Sequence, residues 1–291
     1  MRFDKASLEY ILRMNTTGGR NIHSKDRHLK RHLIPFFGAM QLDKITSFDV
    51  QRFVQLRLSQ HSQAGGDHRT VRSDKSVSPG SVNRELATLS HLFTMAEEWE
   101  WTRKRPRIRR LREGAGRTTY LSQEQAQRLL TATTGHLRLF VLIGLSTAMR
   151  RSEILSLRWE NVDSDRRLIY LPRAKAGPRE VPMTKALADH LREYPKTSPW
   201  LFPSQRSKTG HLLAIEGIYR RAVASVGMDP KQVVRHTLRH SAVTHLVQAG
   251  VDLPTVMRVS GHRSVKMIMR YAHQDDAHVR QAMDKLEARL T

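Results

Sequence analysis

Residues 236–250 read HTLRHSAVTHLVQAG, and two other stretches stand with them: STAMRRSEILSLRWENVD at 146–163 and SGHRSVKMIMRYAH at 260–273. Taken one at a time, each has an ordinary structural explanation. His236 and His240 lie i, i+4 and so share a helix face, the spacing of a zinc pair. No HExxH pattern supplies a carboxylate beside them, and the chain has no cysteine, so the usual zinc ligand sets are missing. Arg150 stands three residues before Glu153, a common surface ion pair on helices. Tyr271 alone reads as a half-buried aromatic.

Together the three stretches resemble the tyrosine recombinase (phage integrase) family. Thr147 to Ile154 is similar to the family's T-G-[LM]-R-x-x-E-[IL], with Ala148 in place of the usual glycine. His236 to His240 matches H-x-L-R-H in full. Ser260-Gly261-His262 stands for L-G-H, with serine for the usual leucine, and Tyr271 follows the histidine by the family's nine residues. Lys175 precedes Arg179-Glu180-Val181-Pro182 as the family's hairpin lysine precedes R-x-V-P. More weakly, SPGSVNRELATLSHLFTMA is similar to a helix of the family's core-binding domain.

The resemblance implies Arg150, Lys175, His236, Arg239, His262 and Tyr271 as the catalytic set, with Tyr271 as nucleophile. Attack on a phosphodiester gathers negative charge on the non-bridging oxygens, and two guanidinium forks, Arg150 and Arg239, suit that demand. A phenol has a pKa of about 10 and needs a base or a positive field. His236 is the expected proton acceptor or phosphate-orienting group, and His262 is expected to bind a non-bridging oxygen or position Tyr271. The departing 5′-oxygen needs a proton, and Lys175 is the expected donor. Glu153 is expected to orient Arg150, and His240 to be structural or supporting. The 3′-phosphotyrosyl product keeps the bond energy, so no metal, nucleotide or other cofactor is implied.

Outward from these segments, residues 22–58 read as helices broken at Pro35–Gly38, and 60–77 as a polar loop. Ser78-Pro79 reads as a helix start, followed by a stripe through Val82, Leu86, Leu89, Leu92, Phe93 and Ala96. Ser122 and Gln125 form a capping box, residues 137–145 read as apolar on all faces, as in a buried helix, and 167–183 reads as two short strands around Ala174–Pro178. Gly250 and Gly261 punctuate the later helices, and a stripe of Val279, Met283, Leu286 and Leu290 marks a last one.

The expected fold is therefore mainly α with a small antiparallel sheet. Its parts are an extension (1–21), a helical core-binding domain (22–102), a basic linker (103–117) and an α+β catalytic domain (118–291). The family implies that the two domains close as a clamp on DNA.

The sequence carries 50 basic against 27 acidic residues, a net charge of +23 spread over both halves, which calls for a polyanion such as nucleic acid. In RKRPRIRRLREGAGR (103–117), Arg103, Lys104, Arg105, Arg107, Arg109 and Arg110 are candidate phosphate contacts. So are Arg151, Arg173 and Arg179. No signal-peptide core or membrane-length apolar run is present, which points to a cytoplasmic protein.

The expected partners are double-stranded DNA, three further copies of this chain in a tetramer on two DNA sites, and accessory DNA-bending proteins. The family implies that the final helix, 276–290, is donated to a neighbouring protomer. The rival readings are a type IB topoisomerase-like enzyme, an idle DNA-binding protein and a histidine-based metalloenzyme.

Overall fold

The computed structural model describes residues 1–64, 71–114, 119–172, 174, 177–271, 283–284 and 287–288. The chain divides into two compact units, Met1–Gly116 and Arg117–Thr291.

The first unit is helical. It holds α1 (Phe3–Thr16), α2 (Ile22–His28), a π-helical turn (Leu29–Leu33), α3 (Ile34–Phe37), α4 (Ser47–Ser59), two strands β1 (His61–Ala64) and β2 (Val71–Ser76), and α5 (Pro79–Glu98). Phe3, Tyr10, Leu29, Leu33, Phe37, Phe53, Leu86, Leu89 and Phe93 form its core. The residues expected to be an extension are α1, whose Phe3, Ala6, Tyr10 and Met14 are buried at helical spacing. The break expected at Pro35–Gly38 falls at its glycine end, where α3 stops at Phe37 and Gly38 follows as its C-cap. Pro35 sits in the first turn of α3, directly after the π-helical turn. There its missing N–H costs little, because the wider turn has already shifted the hydrogen-bond ladder.

Two further differences concern polar stretches. The segment expected as a loop contains β1 and β2, paired antiparallel with His61 opposite Ser76 and Ala64 opposite Val71. Backbone pairing of this kind needs no apolar alternation to announce it. The basic segment is no free tether, since Pro106 is buried and Ile108 and Leu111 pack on the first unit's core. The Asn83 side chain donates to the Leu111 carbonyl (2.9 Å) and accepts from the Leu111 N–H (2.8 Å). The Arg107 N–H donates to Ser47 Oγ (2.9 Å). Positions 106, 108 and 111 turn inward, so the cations between them can stay in water while the strip is held.

The second unit runs α6 (Gln123–Thr131), α7 (Gly135–Thr147), α8 (Arg151–Leu155), β3 (Val162–Asp163), β4 (Leu168–Leu171), β5 (Arg179–Pro182), α9 (Lys185–Glu193), α10 (Glu216–Ser225), α11 (Arg235–Gln248), α12 (Leu253–Ser260), α13 (Val265–Ile268) and a 3₁₀ turn (Met269–Tyr271). The three strands form one antiparallel sheet in the order β3-β4-β5, with Leu171 opposite Arg179. The mainly α fold with a small antiparallel sheet is thus as the sequence indicates.

The expected caps are present: Ser122 and Gln125 exchange side-chain-to-backbone bonds (3.0 and 3.1 Å), and Ser78 accepts from the Ser81 N–H (3.3 Å). α7 is buried along Leu139, Phe140, Val141 and Ile143. Gly144 lets α11 approach it, since a Cβ there would stand 3.0 Å from a Leu238 methyl. That contact sets the helix carrying Arg239 against the segment carrying Arg150. The expected last helix, 276–290, falls largely outside the described residues. Among the described residues, no helix is long and apolar enough to cross a membrane.

Candidate active site

The site begins where α7 ends. Ala148 takes a left-handed conformation (φ 53°) and is fully buried, which turns the chain sharply into α8. Arg150 follows as the N-cap of α8. Its backbone N–H donates to Glu153 Oε2 (2.9 Å) and its guanidinium to Glu153 Oε1 (3.0 Å). A second fork reaches the same carboxylate, with Arg179 donating to both oxygens (3.0 and 2.8 Å). Burial pushes the Glu153 carboxyl up. The hydrogen bonds from Arg179 and from the Arg150 backbone outweigh it and hold the group below its ordinary range. The free side of Arg150 donates to the Gly261 carbonyl (3.1 Å).

Gly261 is required twice over. It caps α12 at φ 67°, and a Cβ there would meet the Arg179 guanidinium carbon at 2.8 Å. Arg179 therefore does not point outward as a phosphate contact. Its burial follows from β5, where it shares the inner face with Val181 two residues on.

From α11 comes Arg239, only 3% exposed. One arm donates to the Ala148 carbonyl (2.6 Å) and the other lies 3.0 Å from His262 Nε2 and 3.4 Å from His262 Nδ1. Burial, then the charge of Arg150, lowers its pKa to about 10, with Glu153 pulling the other way. It stays protonated at neutral pH.

His262 also meets Ser260, whose Oγ lies 2.7 Å from Nδ1 and donates to the Val256 carbonyl (2.6 Å). Tyr271, 9% exposed, is packed among Ala148, Ala242, Val243, Val256 and Ile268. Its hydroxyl is hydrogen-bonded to His240 Nδ1. The His236 and His240 rings meet edge-on at 4.7 Å, and the His262 and Tyr271 rings lie 6.5 Å apart.

The structure thus brings Arg150, Glu153, His236, Arg239, His240, His262 and Tyr271 together. Lys175 and Arg173 lie outside the described residues. Arg151 bonds to Glu216 (2.8 Å), which Arg235 also holds (2.9 Å). In the first unit Arg103, Lys104, Arg105, Arg107, Arg109 and Arg110 are exposed. Arg105 pairs with Glu97 (3.4 Å), and the Arg110 guanidinium donates to the Asn83 carbonyl.

Sequence reasoning offered His236 as proton acceptor or phosphate-orienting group; the described partner of the hydroxyl is His240, with the His236 ring edge-on to it. That reasoning missed Ser260 altogether. The residue standing where the family has leucine was the available signal. Among the described residues, no cluster of His, Asp or Glu is arranged to hold a metal ion.

Such a cluster can hold a tetrahedral or trigonal oxyanion between guanidiniums and present a phenol to it. The chain matches the pattern of the phage integrase family over residues 119–278, and that of the N-terminal SAM-like domain of phage integrases over 20–56. It is 30% identical over 256 residues to a shufflon-specific DNA recombinase of Escherichia coli, covering 85% of this chain and 62% of the relative. It is 31% identical over 207 residues to the integrase of Escherichia phage P2, covering 70% and 58%. The chain therefore spans about six-tenths of the length of these relatives.

Among solved structures, the Tn1549 transposon integrase in complex with transposon right end DNA superposes with a TM-score of 0.78, at 19% identity, over 99% of this chain and 100% of that one. A lambda integrase dimer bound to a core site gives 0.70 at 14% identity, over 94% and 98%. At these identities the likeness is one of fold.

Proposed function

The chain belongs to the phage integrase family, and from that premise we propose that it cleaves and rejoins DNA strands at specific sites through Tyr271. One observation carries the proposal: the Tyr271 hydroxyl is hydrogen-bonded to a histidine, and the ring packs in the same cluster as Ala148, whose carbonyl receives the buried Arg239. That is where a phenol would be made nucleophilic and a phosphate held.

In the proposed step the phenolic oxygen bonds to phosphorus and the bond to the 5′-oxygen breaks. The phenolic proton passes to His240 Nδ1, which its hydrogen bond already addresses. Arg150 and Arg239 take the charge that grows on the non-bridging oxygens. His236, edge-on to His240, orients it or the phosphate. Glu153, gripped by two guanidiniums, fixes Arg150. Lys175 supplies the proton that the 5′-oxygen needs on leaving. The reverse step, with the 5′-hydroxyl of another strand, rejoins the DNA and releases the tyrosine.

The partners follow from the same reading. The substrate is duplex DNA, held by the exposed cations of residues 103–110 in the first unit and by the charge of the second. Residues 22–102 would serve as the core-binding domain and 118–291 as the catalytic domain. Strand exchange needs two DNA sites and so a tetramer, with accessory DNA-bending proteins as further partners and the cytoplasm as the site of action.

The test is a DNA substrate nicked so that the cleaved fragment diffuses away. The wild-type protein is expected to accumulate a covalent DNA adduct and Tyr271→Phe none. An equal adduct from both would remove the proposal. Relaxation of supercoils without recombination between two sites would replace it with a topoisomerase-like activity.

A further inference from the structure

Ser260 stands where the family has leucine, and it is fully buried with its hydroxyl between two groups. A hydroxyl has one proton to give. Its oxygen lies 2.6 Å from the Val256 carbonyl, an acceptor that has no proton of its own to offer. At that distance the Ser260 proton must lie between them, because two bare oxygens so close would repel. The Ser260 oxygen therefore has only lone pairs left for His262 Nδ1, 2.7 Å away, and Nδ1 must carry the proton of that bond.

On its other side the ring lies against Arg239, whose Nη2 is 3.0 Å from Nε2 and 3.4 Å from Nδ1 and so sits over the ring rather than on either lone pair. The reverse tautomer fails at Ser260, since it leaves the Val256 carbonyl facing an oxygen without a proton.

We propose that Ser260 is a positioning residue that fixes His262 as the Nδ1–H tautomer and so holds its ring against the Arg239 guanidinium. The chain of bonds runs from the Val256 carbonyl through Ser260 to His262, and the other arm of Arg239 is held by the Ala148 carbonyl. Arg239 is thereby held between a carbonyl and an oriented ring before any phosphate arrives. That is the preorganisation which makes a guanidinium effective in a transition state. A leucine at position 260 could make neither bond. In this chain, orienting the arginine thus falls to a hydroxyl next to the motif histidine.

This inference rests on the strand-cleavage reading for its kinetic part but not for its structural part, and the experiment separates the two. The full chain, labelled with ¹⁵N-histidine, is examined by imidazole NMR, with His262→Gln used to assign the His262 signals. The wild type is expected to show Nδ1 protonated and Nε2 bare. Ser260→Ala is expected to lose the fixed tautomer and to slow covalent adduct formation about tenfold, the scale of one lost buried hydrogen bond. DNA binding should stay unchanged, and Ser260→Thr, which keeps the hydroxyl, should recover most of the rate. In a His262→Gln background, Ser260→Ala should cost nothing further.

A wild-type spectrum with the proton on Nε2 overturns the proposal, even if the alanine variant fails to fold. So does an undiminished loss in the His262→Gln background. Absence of any adduct in the wild type, with the Nδ1–H spectrum intact, would remove the cleavage reading and leave the tautomer assignment standing.

Discussion

Each unit of the protein buries a carboxylate against guanidinium, and the two sites balance their charges differently. In the first unit Arg57 donates through Nε and Nη2 to both oxygens of Glu85 (2.8 and 2.7 Å), and its remaining arm to Gln60. The side chains are 8% and 4% exposed. His32 stands beside the pair, with Nε2 3.7 Å from Glu85. Burial lowers its pKa first, Glu85 raises it, and Arg57 adds to the lowering. Its net downward shift keeps His32 neutral at neutral pH. The result is one negative and one positive charge, closed on each other.

In the second unit Glu153 faces Arg150 and Arg179 directly, and the field of Arg239 besides. One carboxylate cannot neutralise three guanidiniums, so the site holds uncompensated positive charge in a partly dry setting. A charge-balanced cluster is finished as structure. An unbalanced one is complete only when an anion enters, which is the place the proposed function gives to the phosphate.

The largest effect that could break this comparison is at Arg239. Arg239→Ala is expected to reduce covalent adduct formation more than about a thousandfold while DNA affinity stays within about tenfold, because the group acts on charge that develops in the transition state. Single-turnover cleavage beside equilibrium binding measures both. A loss of affinity as large as the loss of rate would mean that Arg239 merely holds DNA. It would also erase the distinction from an ordinary buried arginine.

Arg57→Ala sharpens the comparison from the other side. It leaves Glu85 buried without its partner, a change that costs about 3–5 kcal/mol of stability. The adduct rate per bound DNA should stay within about twofold of wild type, because the pair carries no unbalanced charge for a substrate to meet. Denaturant unfolding checks the first part. A rate deficit at saturating DNA with normal stability would show that the balanced pair is functional after all.

How legible these sites were differs for physical reasons. The caps at Ser78 and Ser122, the all-apolar α7 and the β4–β5 pair lie in local pattern, and the structure has them where pattern puts them. Two features were legible but passed over. Phe3, Ala6, Tyr10 and Met14 recur at helical spacing within the expected extension. Arg179 shares the face of Val181 by the two-residue period of a strand, which already turns it inward.

Other features leave no local trace. The π-helical turn that lets Pro35 stay inside a helical stretch depends on packing, not composition. The meeting of Tyr271 with His240, 31 residues apart, depends on the way α12 and α13 fold back on α11. His236 and His240 share one face of α11, and periodicity cannot say which of the two the phenol reaches. Resemblance could nominate the reactive residues, but their mutual partners had to come from tertiary structure.

The smallest effect concerns Ala148, where the two anchors of the second site meet. Its left-handed backbone places the carbonyl that receives Arg239, and an alanine in that conformation is strained by about 1 kcal/mol relative to glycine. Glycine also has more unfolded-state freedom to lose, which offsets part of the gain. Ala148→Gly is therefore expected to raise the second unit's melting temperature by about 2 °C, the shift that a gain below 1 kcal/mol gives in a unit of this size. The carbonyl remains, so the adduct rate should change less than about twofold, compared with the far larger loss in Arg239→Ala. A rate that fell with rising stability would mean that the alanine's strain itself helps to aim the guanidinium. The uncompensated charge would then be held by the backbone as much as by its neighbouring side chains.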